Sequence, residues 1–262
     1  MPSIHPTALV DPGAELDVGV DVGPYAVVGA GVCIGAGTTI GAHCVIEGPT
    51  TIGRDNRIFS HAALGAAPQD KKYAGEPTRL EIGDKNTIRE CVTINRGTIQ
   101  DGGVTRIGDD NWIMAYVHIA HDCQVGSHTI FANTTNLGGH VHIGDWAFLG
   151  GNSQVHQFCK IGAHAMTGTG TVVLQDIPPY VTATGNTAAA HGLNTEGLRR
   201  RGFSDATIAA LRRAYKTLYR SGLTLVDARA ALSAQIAEGG EAAEALRVLE
   251  AFLAQVSRGI VR

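Results

Sequence analysis

Histidine is the residue type in this chain whose number and spacing most suggest chemistry. There are 11 histidines in 262 residues, and seven of them lie between positions 118 and 164. Within the run HIAHDC, His121 is followed at once by Asp122, a carboxylate that can orient an imidazole or stabilise its positive charge. A single histidine is most often a polar residue at a turn, so the pairing with Asp122 makes His121 the candidate general base.

An internal repeat of six residues determines which elements must hold these histidines. Branched aliphatic residues recur at this spacing from Ile4 to Leu64 and, shifted by one, from Ile107 to Ile161. Neither the helical period of 3.6 nor the strand period of 2 produces this pattern, but a short strand followed by a tight turn does. Three such units close a triangular coil of 18 residues, and coils stack as parallel strands about 4.8 Å apart. We expect glycine, asparagine or aspartate at the strained turn positions.

Residues that are 18 apart should therefore lie directly above one another. This rule places Gly139 and then Gln157 above His121, and His140 above Asp122. A histidine base beside a free glycine N–H supplies a proton acceptor and an oxyanion donor, which suffice for acyl transfer from a thioester to a hydroxyl. No serine, cysteine or lysine is clearly paired with His121 as a nucleophile, and the direction of the Cys123 side chain is uncertain at a corner. We favour direct transfer without an acyl-enzyme.

The repeat divides the chain into a mainly β domain and a helical one. Residues 1–190 are predicted to form a parallel β-helix with two polar excursion loops, at 65–81 and 96–106, and loops on a rigid scaffold often carry function. Residues 191–262 are predicted to form a C-terminal α-helical domain. Its helices are expected to begin after the caps Ser204 and Thr224, with a third over 242–256.

Composition and charge restrict the possible partners and location. The net charge of −3 argues against nucleic acid, and no stretch is apolar and long enough to span a membrane. Five cysteines without a CxxC pair fit a reducing cytoplasm, and the N-terminus does not read as a signal peptide. Residues 196–262 nevertheless carry 11 Lys and Arg against 7 Asp and Glu, which suggests a local acidic partner.

Several longer motifs resemble those of the UDP-N-acetylglucosamine acyltransferase family, cytoplasmic bacterial enzymes that begin lipid A synthesis, over almost the whole chain. They are QDKKYAGEPTR (69–79), VTINRGT (92–98), HIAHDC (118–123), GGHVHIG (138–144), VHQFCKIGAH (155–164), QDIPPYV (175–181) and RRRGF (199–203). The resemblance implies a left-handed coil, although the general rule for parallel crossovers predicts the opposite hand. It also implies a homotrimer with a site between adjacent prisms.

The implied reaction moves an (R)-3-hydroxyacyl group from acyl carrier protein to the 3-hydroxyl of UDP-N-acetylglucosamine, without a metal or other cofactor, the donor being the phosphopantetheine thioester. By the resemblance, His121 is the general base with Asp122 beside it, and Gly139 is the oxyanion donor. The substrate-binding positions that it implies are Gln69, Asp70, Lys72, His118, His140, His156, Gln157, Asn194, Glu196, Arg200 and Arg201. Guanidinium groups such as those of Arg200 and Arg201 pair bidentately with diphosphate oxygens.

Two further expectations concern the acyl donor. In this family a small residue ends the acyl groove, a glycine where long chains are accepted, and the matching position here is Thr169. A branched threonine should end the groove early and select a shorter chain. Acyl carrier protein is acidic, so we expect it to dock on basic residues of the C-terminal helices, among Arg212, Arg213, Lys216 and Arg220.

Three other interpretations remain at this point. His118, His121 and His140 could converge on zinc, as in the γ-class carbonic anhydrases, and the chain could be an acetyl-CoA-dependent transferase of the same superfamily. Metal analysis and an assay with acetyl-CoA separate these. A structural or ice-binding solenoid would carry a regular threonine array on one face, which the irregular His, Asp and Asn positions disfavour.

Overall fold

The computed structural model describes residues 1–262, and its architecture is the predicted left-handed parallel β-helix followed by helices. Twenty-eight short strands follow one another along the chain. Strands β1 to β14 are Ser3–Ile4, Leu9–Val10, Glu15–Leu16, Asp21–Val22, Val27–Val28, Val32–Ile34, Thr39–Ile40, Val45–Ile46, Thr50–Ile52, Arg57–Ile58, Ala63–Ala66, Arg79–Ile82, Thr87–Ile88 and Thr93–Asn95. Strands β15 to β28 are Val104–Ile107, Trp112–Ile113, His118–Ile119, Gln124–Val125, Ile130–Phe131, Asn136–Leu137, His142–Ile143, Phe148–Leu149, Gln154–Val155, Lys160–Ile161, Met166–Thr167, Val172–Val173, Val181–Thr184 and Ala189–Leu193.

Every third strand pairs in parallel with the next, which builds three sheets around one core. The first sheet runs from β1 through β4 to β25 and ends with the antiparallel hairpin of β27 and β28. The second runs from β2 to β26, and the third from β3 to β24. The predicted 18-residue register is confirmed, for example where His118 pairs with Asn136 and Asn136 with Gln154. The repeating aliphatics are buried in one cluster of 40 residues, and burying each stabilises the fold by about 1.5–3 kcal/mol.

The residues at the corners differ in part from those expected. Many corner residues with positive φ are His, Tyr, Trp or Phe rather than glycine, asparagine or aspartate, such as His140 at 62° and His164 at 59°. Placing such a residue there costs about 1–2 kcal/mol. Stacking along the edge offsets this cost: His128, Trp146, His164 and Tyr180 form one continuous column of rings.

Both predicted loops leave the prism, but they are shorter than expected. Arg79–Ile82 and Val104–Ile107 are strands that pair with each other, so loop 1 is 67–78 and loop 2 is 96–103, in place of 65–81 and 96–106. Their outer residues pair in the sheet because the ladder of hydrogen bonds continues past each insertion. Both loops follow strands of the second sheet, β11 and β14, and both return into the third sheet.

The region after the coils contains a strand extension and a short helix that the hexapeptide period does not predict. Strand β28 extends to Leu193, beyond the predicted boundary at 190, and a short helix α1 (Thr195–Arg200) follows it. Helices α2 (Asp205–Tyr219) and α3 (Leu225–Ala237) begin after Ser204 and Thr224, whose hydroxyls accept the expected capping hydrogen bonds. Helix α4 is Ala243–Ala254. The helices share a second apolar cluster of 13 residues, and none of them is long and apolar enough to cross a bilayer.

Candidate active site

One edge of the prism collects the residues that were predicted to carry chemistry. At this edge, where the second sheet turns into the third, the segments after β17, β20 and β23 contribute His121, then Gly139 and His140, then Gln157. The coils are tied directly, because the His140 N–H donates to the His121 carbonyl at 3.0 Å. We call this the His121 edge, and both loops leave the prism along it.

His121 and Asp122 form a hydrogen-bonded pair. Nδ1 of His121 lies 2.8 Å from Oδ2 of Asp122, and Nε2 has no partner in the chain. The carboxylate is completely buried, whereas the imidazole remains 13% exposed. A proton on Nδ1, held by the carboxylate, leaves the Nε2 lone pair free, which is the tautomer that a general base needs.

Gly139 lies against the free side of this imidazole. Its N–H donates to no group of the chain, so the predicted free donor is present. A Cβ at this position would come within 2.6 Å of Cε1 and 2.8 Å of Nε2 of His121, closer than real contacts allow. Glycine is therefore required here by space, and it leaves a backbone donor beside the base.

Loop 2 supplies contacts that sequence reasoning missed. The Thr98 N–H donates to Oδ1 of Asp122 at 2.8 Å and its hydroxyl to Oδ2 at 2.6 Å, while the Thr105 hydroxyl accepts the Asp122 N–H at 2.8 Å. Burial alone would raise the pKa of Asp122, but hydrogen bonds from His121 and Thr98 outweigh it and hold that pKa below its usual value. Asp101 pairs with Nδ1 of His140 at 2.8 Å. The 18-residue spacing does not hold across an insertion, so in the sequence only the motif VTINRGT, which ends at Thr98, marks this residue.

Cys123, whose direction was uncertain, points into the prism. Its side chain is fully buried, its Sγ contacts the Gly138 carbonyl at 3.2 Å, and burial raises the pKa of the thiol to about 12. A thiol held in that state is neither ionised nor accessible, so it cannot serve as the nucleophile.

The three histidines that the alternative zinc interpretation requires do not come together. The groups that lie within 4.8 Å of one another are His121, Asp122 and His140, without His118. His118 instead has its Nδ1 2.7 Å from the Thr93 hydroxyl, and its pKa is lowered by burial and by the neighbouring His121. His118 therefore borders the pair without joining it.

The residues predicted to bind the nucleotide sugar or the pantetheine arm fall into separate groups. His156 and Gln157 are exposed on the His121 edge itself. Gln69 and Lys72 are exposed on loop 1, where Asp70 accepts the Lys72 N–H at 3.0 Å. Arg96 fixes the base of this loop, donating to the Gly65 carbonyl at 2.8 Å and to the Tyr73 hydroxyl at 3.2 Å.

The remaining predicted residues lie on a different edge, where the third sheet turns into the first. Here Asn194 donates to the His164 carbonyl at 3.1 Å and caps α1. The guanidinium of Arg201 lies 5.4 Å over the Trp146 ring and 3.5 Å from Nδ1 of His164, whose pKa falls to about 4 through burial and the nearby charge. Glu196 and Arg200 form an exposed ion pair at 3.1 Å. We call this the His164 edge, and the third sheet separates it from His121.

Two grooves border these edges. One of about 420 Å³ crosses the outer face of the second sheet from His118 and His156 to Val172 and Leu174. Thr169 does not line it but is exposed at the corner just before β26. The larger, about 730 Å³, lies on the third sheet between the two edges, lined by polar residues including His142 and Lys160 and by Phe252 of α4.

Comparison with known proteins identifies the family. Residues 176–261 match the family described as UDP-N-acetylglucosamine O-acyltransferase, domain 2, and residues 105–139 match the bacterial transferase hexapeptide repeat. The acyl-[acyl-carrier-protein]–UDP-N-acetylglucosamine O-acyltransferases of Janthinobacterium sp. (strain Marseille) and Thiobacillus denitrificans are 63% and 62% identical, each over the full length of both chains. The structure of LpxA from Acinetobacter baumannii superimposes with a TM-score of 0.96 at 49% identity, covering 99% of each chain. This chain therefore belongs to the acyl-[acyl-carrier-protein]–UDP-N-acetylglucosamine O-acyltransferase family.

Proposed function

We propose that this chain transfers an (R)-3-hydroxyacyl group from acyl carrier protein to the 3-hydroxyl of UDP-N-acetylglucosamine, the first step of lipid A synthesis. Its relatives carry the name of this transfer at 56–63% identity over the full chain. The observation that carries the chemistry is the His121–Asp122 pair, with a free Nε2 next to the free N–H of Gly139. This arrangement provides a base and an oxyanion donor at one point.

The proposed mechanism needs one proton carrier and no covalent intermediate. Nε2 of His121 takes the proton of the sugar hydroxyl as its oxygen bonds to the thioester carbonyl carbon. The Gly139 N–H then stabilises the resulting oxyanion, and Asp122, which stays ionised, stabilises the imidazolium. Collapse breaks the carbon–sulfur bond, and the proton passes from His121 to the departing thiolate. No cofactor is consumed, because the thioester itself is the activated donor.

We further propose that the working form is a homotrimer in which neighbouring copies complete each site. His121, His140, His156 and Gln157 lie on one edge of the prism, and the groups fitted to bind a diphosphate lie on the His164 edge. One substrate molecule must reach both groups, whereas the third sheet separates them within a chain. A closed ring of three copies, each setting its His121 edge against the next copy's His164 edge, satisfies this requirement.

A transfer assay tests the proposed function directly. Purified protein, UDP-N-acetylglucosamine and carrier-protein-linked 3-hydroxyacyl chains of graded length should give an O-acylated sugar nucleotide. Acetyl-CoA offered in place of the carrier-linked donor should give none, because the proposed enzyme takes its acyl chain from the carrier protein. Transfer from acetyl-CoA alone would instead identify another hexapeptide-repeat transferase.

Docking of acyl carrier protein should depend on the exposed basic face of α2. Arg212, Arg213, Lys216 and Arg220 are all exposed, and three of them line a cleft of about 290 Å³ with no carboxylate in its wall. The free thiols and the carrier protein both fit the cytoplasm, where we place the enzyme.

We expect Lys216→Glu to raise the KM for the acylated carrier about 10-fold and to flatten its dependence on salt, since the attraction to an acidic partner is lost. The control is Arg247→Glu, which makes the same change of charge on an exposed residue of α4. Steady-state kinetics at two ionic strengths measure both effects. An unchanged salt dependence in Lys216→Glu would place the docking surface elsewhere.

Chain-length preference should depend on Thr169. The groove on the second sheet reaches Val172 and Leu174, and Thr169 lies outside its wall, exposed at the corner three residues before Val172, so it limits only an acyl chain that runs past that corner. We expect the wild-type enzyme to prefer an acyl chain about two to four methylenes shorter than glycine-bearing relatives accept. Overpacking the groove costs about 1–3 kcal/mol, whereas burying one further methylene contributes only about 0.8 kcal/mol. Thr169→Gly should move the preference toward the longer chain in competition assays. Unchanged selectivity, or a wild type that already prefers the long chain, would mean that another residue ends the groove.

A further inference from the structure

Loop 2 is folded onto the buried side of the catalytic pair, and one of its residues makes most of the contacts. Thr98 gives its N–H to one oxygen of Asp122 and its hydroxyl to the other. The second of these oxygens, Oδ2, is the one that accepts from His121. Thr98 and His121 therefore bind the same carboxylate oxygen.

The two hydrogen bonds from Thr98 fix the plane in which the Asp122 carboxylate lies. A carboxylate can rotate about its last single bond, and a broad range of angles is open to it when only one donor holds it. With Thr98 donating to both oxygens, Oδ2 can point only toward Nδ1 of His121. The Thr105 hydroxyl, which accepts the Asp122 N–H, holds the backbone of the same residue.

Apart from the His121 imidazole, the N–H and hydroxyl of Thr98 are the only hydrogen-bond donors to the buried carboxylate. The charged or titratable groups near Asp122 are His121, Nδ1 of His140 at 3.9 Å, which is paired in turn with Asp101 of loop 2, and the buried thiol of Cys123. No lysine or arginine forms an ion pair with Asp122. A carboxylate with no exposed surface needs such donors to remain ionised.

Resting on the function proposed above, we propose that Thr98 is a positioning residue for acyl transfer. Its hydroxyl holds Asp122 ionised and aimed at Nδ1 of His121, and this keeps Nε2 of His121 unprotonated and directed at the substrate hydroxyl. Thr98 acts through Asp122 and has no contact with the substrate, so its removal should lower kcat and leave the KM for UDP-N-acetylglucosamine unchanged.

The test compares Thr98→Val with Thr98→Ser. Valine keeps the branched shape and the backbone N–H and replaces the hydroxyl by a methyl group, so we expect kcat to fall about 10-fold, the size of one hydrogen bond to a charged group. Serine restores the hydroxyl and should recover most of the activity. If valine reduces packing so far that the protein fails to fold, Thr98→Ala against Thr98→Ser isolates the same hydroxyl in a smaller side chain.

A pH profile separates positioning from a purely structural role. Losing the Thr98 hydroxyl raises the pKa of Asp122, so the anion is lost at a higher pH as the solution is acidified. The deficit of Thr98→Val should therefore grow as the pH is lowered. The matched control is Thr135→Val. Thr135 is also a fully buried threonine, and its hydroxyl donates to the Ala132 carbonyl at 2.9 Å. It does not lie on the His121 edge.

The outcomes are distinguishable. A Thr98→Val enzyme with wild-type kcat overturns the proposal, as does an activity loss that is equal at every pH and is not recovered by serine. A raised KM with unchanged kcat would place Thr98 against the substrate instead. Absence of transfer by the wild-type protein would overturn the proposed function itself, which the Thr98 variants alone cannot do.

Discussion

Replacing His121 by alanine is expected to lower kcat by about 10²–10⁴-fold, the usual contribution of a general base. Nε2 of His121 is free and lies beside the unpaired N–H of Gly139, and on this edge only His121 has its Nδ1 held by a buried carboxylate, so its removal leaves no equivalent base. His140 is not equivalent, because its Nδ1 is paired with the exposed carboxylate of Asp101, its ring is stacked on Phe158 at 4.3 Å, and Gly139 lies against the ring of His121 instead. The measurement is kcat for carrier-linked donor at saturating UDP-N-acetylglucosamine.

The chain provides a close control for this substitution. His43 is an exposed histidine that stacks on His61 at 5.0 Å, and it lies at the corner between the first sheet and the second, away from both the His121 edge and the His164 edge. His43→Ala should therefore keep nearly full activity while removing a side chain of the same size. If purified, folded His121→Ala keeps more than about a tenth of wild-type kcat, His121 is not the base.

The sequence predicts this site well wherever the repeat runs without interruption. The period of six places His140 above Asp122 and Gly139 next to His121, because each uninterrupted coil contains 18 residues and every coil has the same shape. The register fails at the insertions. Ile82 pairs with Ile52 from 30 residues away and with Ile107 from 25, so the loops add 12 and 7 residues to their coils.

Contacts made by those insertions could not be counted from the period. Thr98 reaches Asp122 across 24 residues, a separation set by how loop 2 folds and by no repeat. The hairpin of β27 and β28 and the six-residue helix α1 are likewise too short to show a period. Motif resemblance identified Asn194 and Arg201, but only the structure shows that they share an edge with His164 and lie apart from His121.

Because the residues of the His121 edge and those of the His164 edge lie apart within one chain, we expect two inactive variants to recover activity when their chains are mixed. His121→Ala lacks the base, and a second variant with Arg200→Ala and Arg201→Ala lacks both guanidinium groups fitted to the diphosphate. Each should have little activity alone. The two variants are unfolded and refolded together in equal amounts. If each site takes its His121 edge from one copy and its His164 edge from the next, random assembly leaves about a quarter of the sites intact. The mixture should reach about a quarter of wild-type activity.

A cis control tests whether the recovered activity comes from sites shared between chains. A chain that carries all three substitutions, refolded with wild type, should also leave about a quarter of the sites intact if the site is shared, but about half if each chain holds its own. If the site lies within one chain, the refolded mixture of His121→Ala and the double arginine variant should be inactive, because no chain would hold both His121 and the two arginines. Mixing the two finished variants without unfolding should give no recovery, since assembled chains must exchange to form a complete site. No recovery in the refolded mixture, together with half-activity in the cis control, would mean that Arg200 and Arg201 serve the His121 of their own chain.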